Sequence, residues 1–209
     1  MSHFENGVTM PARKIRQGHR SVRGYFPSRK NGRQMEFEST FERDLFYLLE
    51  LNVEVLSYEE QPIQVDLIWA EETWRYTPDV MVDMRSCDRP LIYEVKPSLD
   101  DFPVTKKKAM DHWCKSNGFI FEVIDASKIR TPELDRAKFL YPYRRILPER
   151  SVVDSIINTV SSEPCLTIAN LTSLVGCRLG EIYQLIATNQ LSCEGMPSSH
   201  SVISISEAN

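Results

Sequence analysis

The sequence predicts a compact α/β core followed by a smaller helical domain. Three observations carry this reading. Between residues 35 and 142 the hydrophobic pattern runs helix, several strands, helix, strand. The composition shifts near Arg150, and two short helices then flank a glycine turn. Within the core, two strand-like segments carry acids and a lysine among apolar residues, Tyr76-Thr77-Pro78-Asp79-Val80 and Ile92-Tyr93-Glu94-Val95-Lys96-Pro97.

The first 34 residues show no sustained period and read as an extended or loosely ordered arm. Residues 1–35 hold eight basic residues against one acid, Glu5, so this segment carries net +7 while the whole 209-residue chain carries −4. Arg13, Lys14, Arg16, Arg20, Arg23, Arg29, Lys30 and Arg33 are therefore candidates for phosphate contact without base reading. A solubilising tail is the competing reading.

Residues 38–51 fit a helix. Ser39 can cap it with Glu42 as the reciprocal partner, and Phe37, Phe41, Leu45 and Leu48 or Leu49 recur at helical spacing. Asn52 ends the pattern. Val53–Tyr58, Gln64–Trp69, Trp74–Tyr76 and Val80–Met84 read as strands, and Leu91–Lys96 as the central one, stopped by Pro97. Thr105–Asn117 fits a helix with Ala109, Met110, Trp113 and Cys114 along one side, ended at Asn117-Gly118. Trp113 reads as a core residue rather than a base-stacking one. Phe119–Ile124 is a buried type of strand, and 127–142 a further helix with a proline-bearing turn.

Past Arg150, helices are expected over Ser151–Val160, Ile168–Val175 and Arg178–Ala187. Ala169, Gly176 and Ile182 have the spacing of a helix-turn-helix, and Leu191 opens a wing or strand. Arg178, Gln184, Asn189 and Gln190 would face a ligand. One basic residue among them is a poor match to an independent DNA reader. The serine-rich end after Met196 is expected to fray.

Other classes recede. No run approaches the roughly 18 apolar residues of a membrane span. The start lacks a basic segment followed by an apolar one, so no signal peptide is expected. Five scattered cysteines without a CxxC pair, and four histidines, argue against structural zinc or a disulfide framework and fit a reducing cytoplasm.

The acids and the lysine point to phosphodiester hydrolysis. Glu94 and Lys96, two apart on a strand, share a face. Hard divalent cations prefer oxygen ligands, which makes Asp79 and Glu94 candidate metal ligands, with the Val95 carbonyl as a further donor and Glu42 able to project onto the same site. Lys96 can steady developing phosphate charge. Lys106, Lys107 and Lys108 give the following helix a basic side that can hold a DNA backbone. Each residue also has an ordinary use: a turn aspartate, an exposed strand pair, half of a capping box, a solvated helix face.

Four segments in order resemble the TnsA-type endonuclease subunit of heteromeric bacterial transposases, within the PD-(D/E)xK nuclease superfamily. They are Phe37-Glu38-Ser39-x-Phe41-Glu42-Arg43-Asp44, Tyr58-Glu59-Glu60-Gln61-Pro62, Tyr76-Thr77-Pro78-Asp79 and Tyr93-Glu94-Val95-Lys96-Pro97. The resemblance implies a restriction-endonuclease-like core, a mixed central sheet flanked by helices, with a small C-terminal winged-helix or helix-turn-helix domain. With the charge and composition shifts above, the chain divides into a basic arm (1–34), an endonuclease domain (35–147), a partner-docking domain (148–196) and a flexible tail (197–209).

By the same resemblance Glu42, Asp79 and Lys96 are catalytic; position 94 is glutamine in some relatives and glutamate in others, and Glu94 joins the catalytic set because its carboxylate can bind metal directly. The cofactor is Mg2+, with Mn2+ able to substitute. The substrate is double-stranded transposon-end DNA, cut at the 5′ ends. The partners are a TnsB-like DDE transposase and a TnsC-like ATP-dependent regulator, with no membrane involved. A resolvase or restriction-type nuclease of the same superfamily, and a noncatalytic DNA-binding regulator, stay open as alternatives.

Overall fold

The computed structural model describes residues 22–69, 72–163 and 165–206. The chain divides between Arg130 and Thr131 into two compact units.

The described part of the first unit begins with a hairpin, β1 (Gly24–Ser28) against β2 (Arg33–Phe37). Residues 22–34 are therefore not a loose arm. The turn closes through Gly32, whose φ of 66° suits a residue without a side chain. A buried carboxylate then anchors it: Glu50 accepts hydrogen bonds from the Ser28 hydroxyl (2.8 Å), the Arg29 and Lys30 amides (2.9 and 3.0 Å) and the Tyr58 hydroxyl (2.8 Å).

Helix α1 (Thr40–Leu51) starts where the capping residues predict. The Ser39 hydroxyl accepts from the Glu42 amide at 3.1 Å, and the Glu42 carboxylate takes back the Glu38 amide and the Ser39 hydroxyl. Its buried side is Leu45, Phe46 and Leu49.

A four-stranded mixed sheet follows in the order β3 (Val55–Glu60), β6 (Val80–Met84), β7 (Cys87–Lys96), β8 (Ile120–Asp125). The first two pairings are antiparallel and β7–β8 is parallel. A parallel pair needs a crossover, and α2 (Val104–Asn117) supplies it, ending on Gly118 at φ 80°. A separate hairpin, β4 (Val65–Trp69) with β5 (Glu72–Tyr76), covers part of the sheet face. Ile63, Val65, Leu67, Ile92, Phe102, Met110, Cys114, Phe121 and Val123 form the core there. Each large apolar side chain buried contributes about 1.5–3 kcal/mol. Trp113 packs against this core, stacked on Phe119. A mixed sheet flanked by helices is the arrangement of a restriction-endonuclease-like core. The short helix α3 (Ala126–Ile129) continues directly from β8.

The second unit contains α4 (Pro132–Leu140), a 3-10 turn (Tyr141–Arg145), α5 (Arg150–Ser162), α6 (Ile168–Val175), α7 (Leu179–Ala187) and the two-residue strands β9 (Leu191–Ser192) and β10 (Ser204–Ile205). The compact unit begins before the 147/148 boundary drawn from composition. Phe139 and Tyr143 pack edge-on to Tyr183, which ties α4 and the 3-10 turn to α7. Gly176, at φ 71°, closes α6 and turns the chain toward α7, an arrangement compatible with a helix-turn-helix.

Two expectations change here. Gln184 is buried and presents nothing outward, and Ala169 is exposed while Ile182 is fully buried. The segment after Met196 is not frayed through residue 206: Ile203 is 2% exposed, its amide donates to the Leu166 carbonyl at 2.9 Å, and β10 pairs with β9. An apolar residue, a bonded amide and a strand partner outweigh a serine-rich composition.

Candidate active site

The site is built by the start of α1 and the facing ends of β6 and β7. Asp79 lies just before β6, where its carbonyl accepts the Gln61 amide at 2.8 Å. Its carboxylate turns toward β7 and accepts the Val95 amide at 2.7 Å. On β7 the pleat alternates. Ile92 and Glu94 enter the face covered by α2 and the β4–β5 hairpin, and the register sets Glu94 beside Val123 and Lys96 beside Asp125.

Glu94 is only 4% exposed. One of its oxygens pairs with the Lys96 ammonium and the other accepts the Tyr76 hydroxyl. A buried charge needs such partners, because desolvation otherwise costs several kcal/mol. The Phe102 ring lies 5.9 Å from the Lys96 ammonium and 6.1 Å from the Tyr76 ring.

The carboxylates feel one another. Burial lifts Asp79 well above the usual carboxylate range, and the charges of Glu94 and Glu42 lift it further; Lys96 and the Val95 amide oppose them. Burial also raises Glu42, against the hydrogen bonds from the Glu38 amide and the Ser39 hydroxyl. Burial alone would lower Lys96, but Glu94, Asp79 and Glu42 outweigh it and hold the ammonium charged. The Tyr76 phenol is pushed far above its ordinary value by burial and by Glu94, so it remains a donor. Glu42, Asp79, Glu94 and Lys96 are thus brought within electrostatic reach of one another.

Three carboxylates against one ammonium leave an excess of buried negative charge, which fits a divalent cation. Among the described residues, however, no group of three His, Cys, Asp or Glu side chains is arranged to hold a metal. Glu94 spends both oxygens on Lys96 and Tyr76, Glu42 spends both on the Ser39 hydroxyl and the Glu38 amide, and the bond Val95 makes here is through its N–H. The donor chemistry fits Mg2+, which is commonly held by one or two carboxylates together with waters and substrate phosphates. It does not fit a closed cage of Glu42, Asp79, Glu94 and the Val95 carbonyl.

The basic candidates separate. Arg13, Lys14, Arg16 and Arg20 lie outside the described residues. Arg33 forks onto Glu60 with two 2.6 Å bonds, and the Lys30 ammonium donates to the Leu49 carbonyl at 2.9 Å. Both serve as internal anchors. Arg23 pairs with Glu38 at 3.8 Å, Arg29 is exposed with its amide on Glu50, and Lys107 pairs with Asp111 at 2.9 Å. Lys106 and Lys108 remain at least partly exposed on α2.

Sequence reasoning quoted Tyr76 without giving it a part. Its partner is 18 positions away, and only the β4–β5 hairpin brings them together. Phe102 and the group formed by Phe41, Asp44 and Arg130 were missed in the same way.

Residues 52–126 match the family model described as the TnsA-like endonuclease N-terminal domain. The match includes Asp79, Glu94 and Lys96 and stops short of Glu42. No curated protein matches the chain. The match supports a nuclease function, of the kind associated with DNA transposition, for this part of the chain. Among the described residues no helix is long and apolar enough to cross a membrane.

Proposed function

We propose that this protein is the metal-dependent DNA endonuclease subunit of a cut-and-paste transposase, hydrolysing the strand at the 5′ ends of the transposon. The observation that carries the reading is the convergence of Glu42, Asp79 and Glu94 on Lys96, within and beside the segment that matches the TnsA-like endonuclease model.

A bound Mg2+ would polarise the scissile phosphate and lower the pKa of an attacking water. Asp79 is the first residue to hold it, its orientation fixed by the Val95 amide, and Glu42 and Glu94 are the carboxylates that can join it through remaining lone pairs. Lys96 faces the developing phosphate charge as a compact cation. Glu94 orients Lys96, and Tyr76 orients Glu94. Aimed donors of this kind need no rearrangement as the charge develops.

Double-stranded transposon-end DNA is the substrate. A TnsB-like DDE transposase, which makes the complementary cuts, and a TnsC-like ATP-dependent regulator are the partners. The second unit is read as a winged helix that docks a partner. A short strand pair follows α7, and α7 with its cap carries one basic residue, Arg178.

The test is strand-specific cleavage of labelled end DNA with Mg2+, using the protein together with the transposase encoded beside it. Asp79→Ala protein that has folded should lose only the 5′-end cut. Identical cuts from both proteins would sink the catalytic reading and leave a binding role.

A further inference from the structure

Asp44, in the second turn of α1, is a buried carboxylate shared by two guanidinium groups. It is 3% exposed. One oxygen lies 3.1 Å from Arg43 Nη2 and the other 3.7 Å from Arg130 Nε. Two guanidinium charges meet this one carboxylate.

The Arg130 guanidinium also lies 4.3 Å from the centre of the Phe41 ring. An arginine on a surface ordinarily loses rotamer freedom when it grips a ligand. Here a ring face and a nearby carboxylate already restrict the group. Half of the side chain is exposed, and among the described residues its two terminal amino groups have no hydrogen-bond partner. Arg43 Nε also lacks a partner but is buried, so Arg43 adds its charge, and only its partly exposed end, to this surface. The unused, exposed Arg130 donors, beside a second guanidinium charge, match a phosphate oxygen pair.

The position is equally specific. Phe41, Arg43 and Asp44 flank Glu42 along the chain. Arg130 caps α3, which continues from β8 at Asp125, the residue registered beside Lys96. Two separate routes through the chain thus lead from this group to the end of the sheet that carries the site.

We propose that Arg130 and Arg43, restrained by Asp44 and the Phe41 ring, form a clamp for the DNA backbone beside the scissile phosphate. The proposal rests on the nuclease reading and adds where the enzyme grips its substrate. It excludes base recognition, since phosphates carry no sequence information.

The experiment is fluorescence-anisotropy titration of a short duplex of arbitrary sequence over a series of salt concentrations. Chelator is present, so that nothing is cut. Arg130→Gln and Arg43→Gln should each weaken binding equally for unrelated sequences and reduce the slope of log affinity against log salt by about one. Arg130→Lys, which keeps the charge but not the fork, should recover only part of the loss. Thermal midpoints measured alongside identify a variant that fails to fold, and the remaining variants then decide the matter. If Arg130→Gln and Arg43→Gln bind as wild type and only melt earlier, the clamp is overturned: the group merely ties α3 to α1. If wild type itself does not bind duplex DNA at low salt, the DNA reading falls together with the clamp.

Discussion

Replacing Tyr76 by phenylalanine removes one oxygen and leaves the ring against Phe102. The lost bond is to a carboxylate that is 4% exposed, so water cannot replace it well. A hydrogen bond to a charged group contributes about 1.5–3 kcal/mol. For a unit of this size that corresponds to a fall in thermal midpoint of roughly 6–12 °C. The second consequence is chemical. Glu94 without its Tyr76 bond can rotate, and Lys96 turns with it. A displacement worth about 1.4 kcal/mol in the transition state slows cleavage about tenfold. Calorimetry, which can separate the two units, reads the first effect. Single-turnover cleavage reads the second, with DNA affinity unchanged. The phenol stays protonated at accessible pH, so both effects should be level between about pH 6 and pH 9. A variant with the wild-type midpoint and the wild-type cleavage rate would refute the chain of support from Tyr76 through Glu94 to Lys96.

Asp79→Asn should abolish cleavage and yet raise the thermal midpoint in chelator. Asp79 holds its proton more tightly folded than unfolded, chiefly because it is buried; wild-type stability therefore falls as pH rises from about 4 toward the raised value, and the gain from asparagine should be larger at about pH 8 than at about pH 4. Adding Mg2+ should raise the wild-type midpoint and leave Asp79→Asn unmoved, which calorimetry checks directly. Glu50→Ala strands the Ser28 and Tyr58 hydroxyls and two amides; at about 1–3 kcal/mol each, the first unit should lose more than about 3 kcal/mol in urea titrations. Truncation after Met196 removes Ile203 and β10 and should lower the midpoint of the second unit while sparing the first.

The elements of the core were legible because each carries its own local signal. Ser39 with Glu42 marks a helix start, Asn117-Gly118 a helix end, and Pro97 a strand end, and the structure has all three. The strand period also put Glu94 and Lys96 on one face before any pairing was known. What pairing decides was not legible. Nothing local says that Tyr76 meets Glu94, or that Arg33 and Lys30 spend their charges on Glu60 and on α1 carbonyls. Positive charge in a sequence marks a surface that can bind phosphate only if the fold leaves it free. The arm reading failed over residues 22–34 for that reason, since Glu50 supplies the order from a distance. The tail reading failed because Val202, Ile203 and Ile205 are a short apolar set among serines, too weak a signal until the site that buries Ile203 exists.

Glu42 uses the same two oxygens to start a helix and to charge the site. Its neighbourhood therefore has little freedom to drift. An aspartate would be one methylene too short to span the Glu38 amide and the Ser39 hydroxyl, and an alanine would loosen the first turn as it removed the acid. Protein engineers who improve such helix starts for stability would be editing the reaction at the same time. Among natural variants of this fold, Ser39 and Glu42 are expected to be exchanged as a pair or left alone.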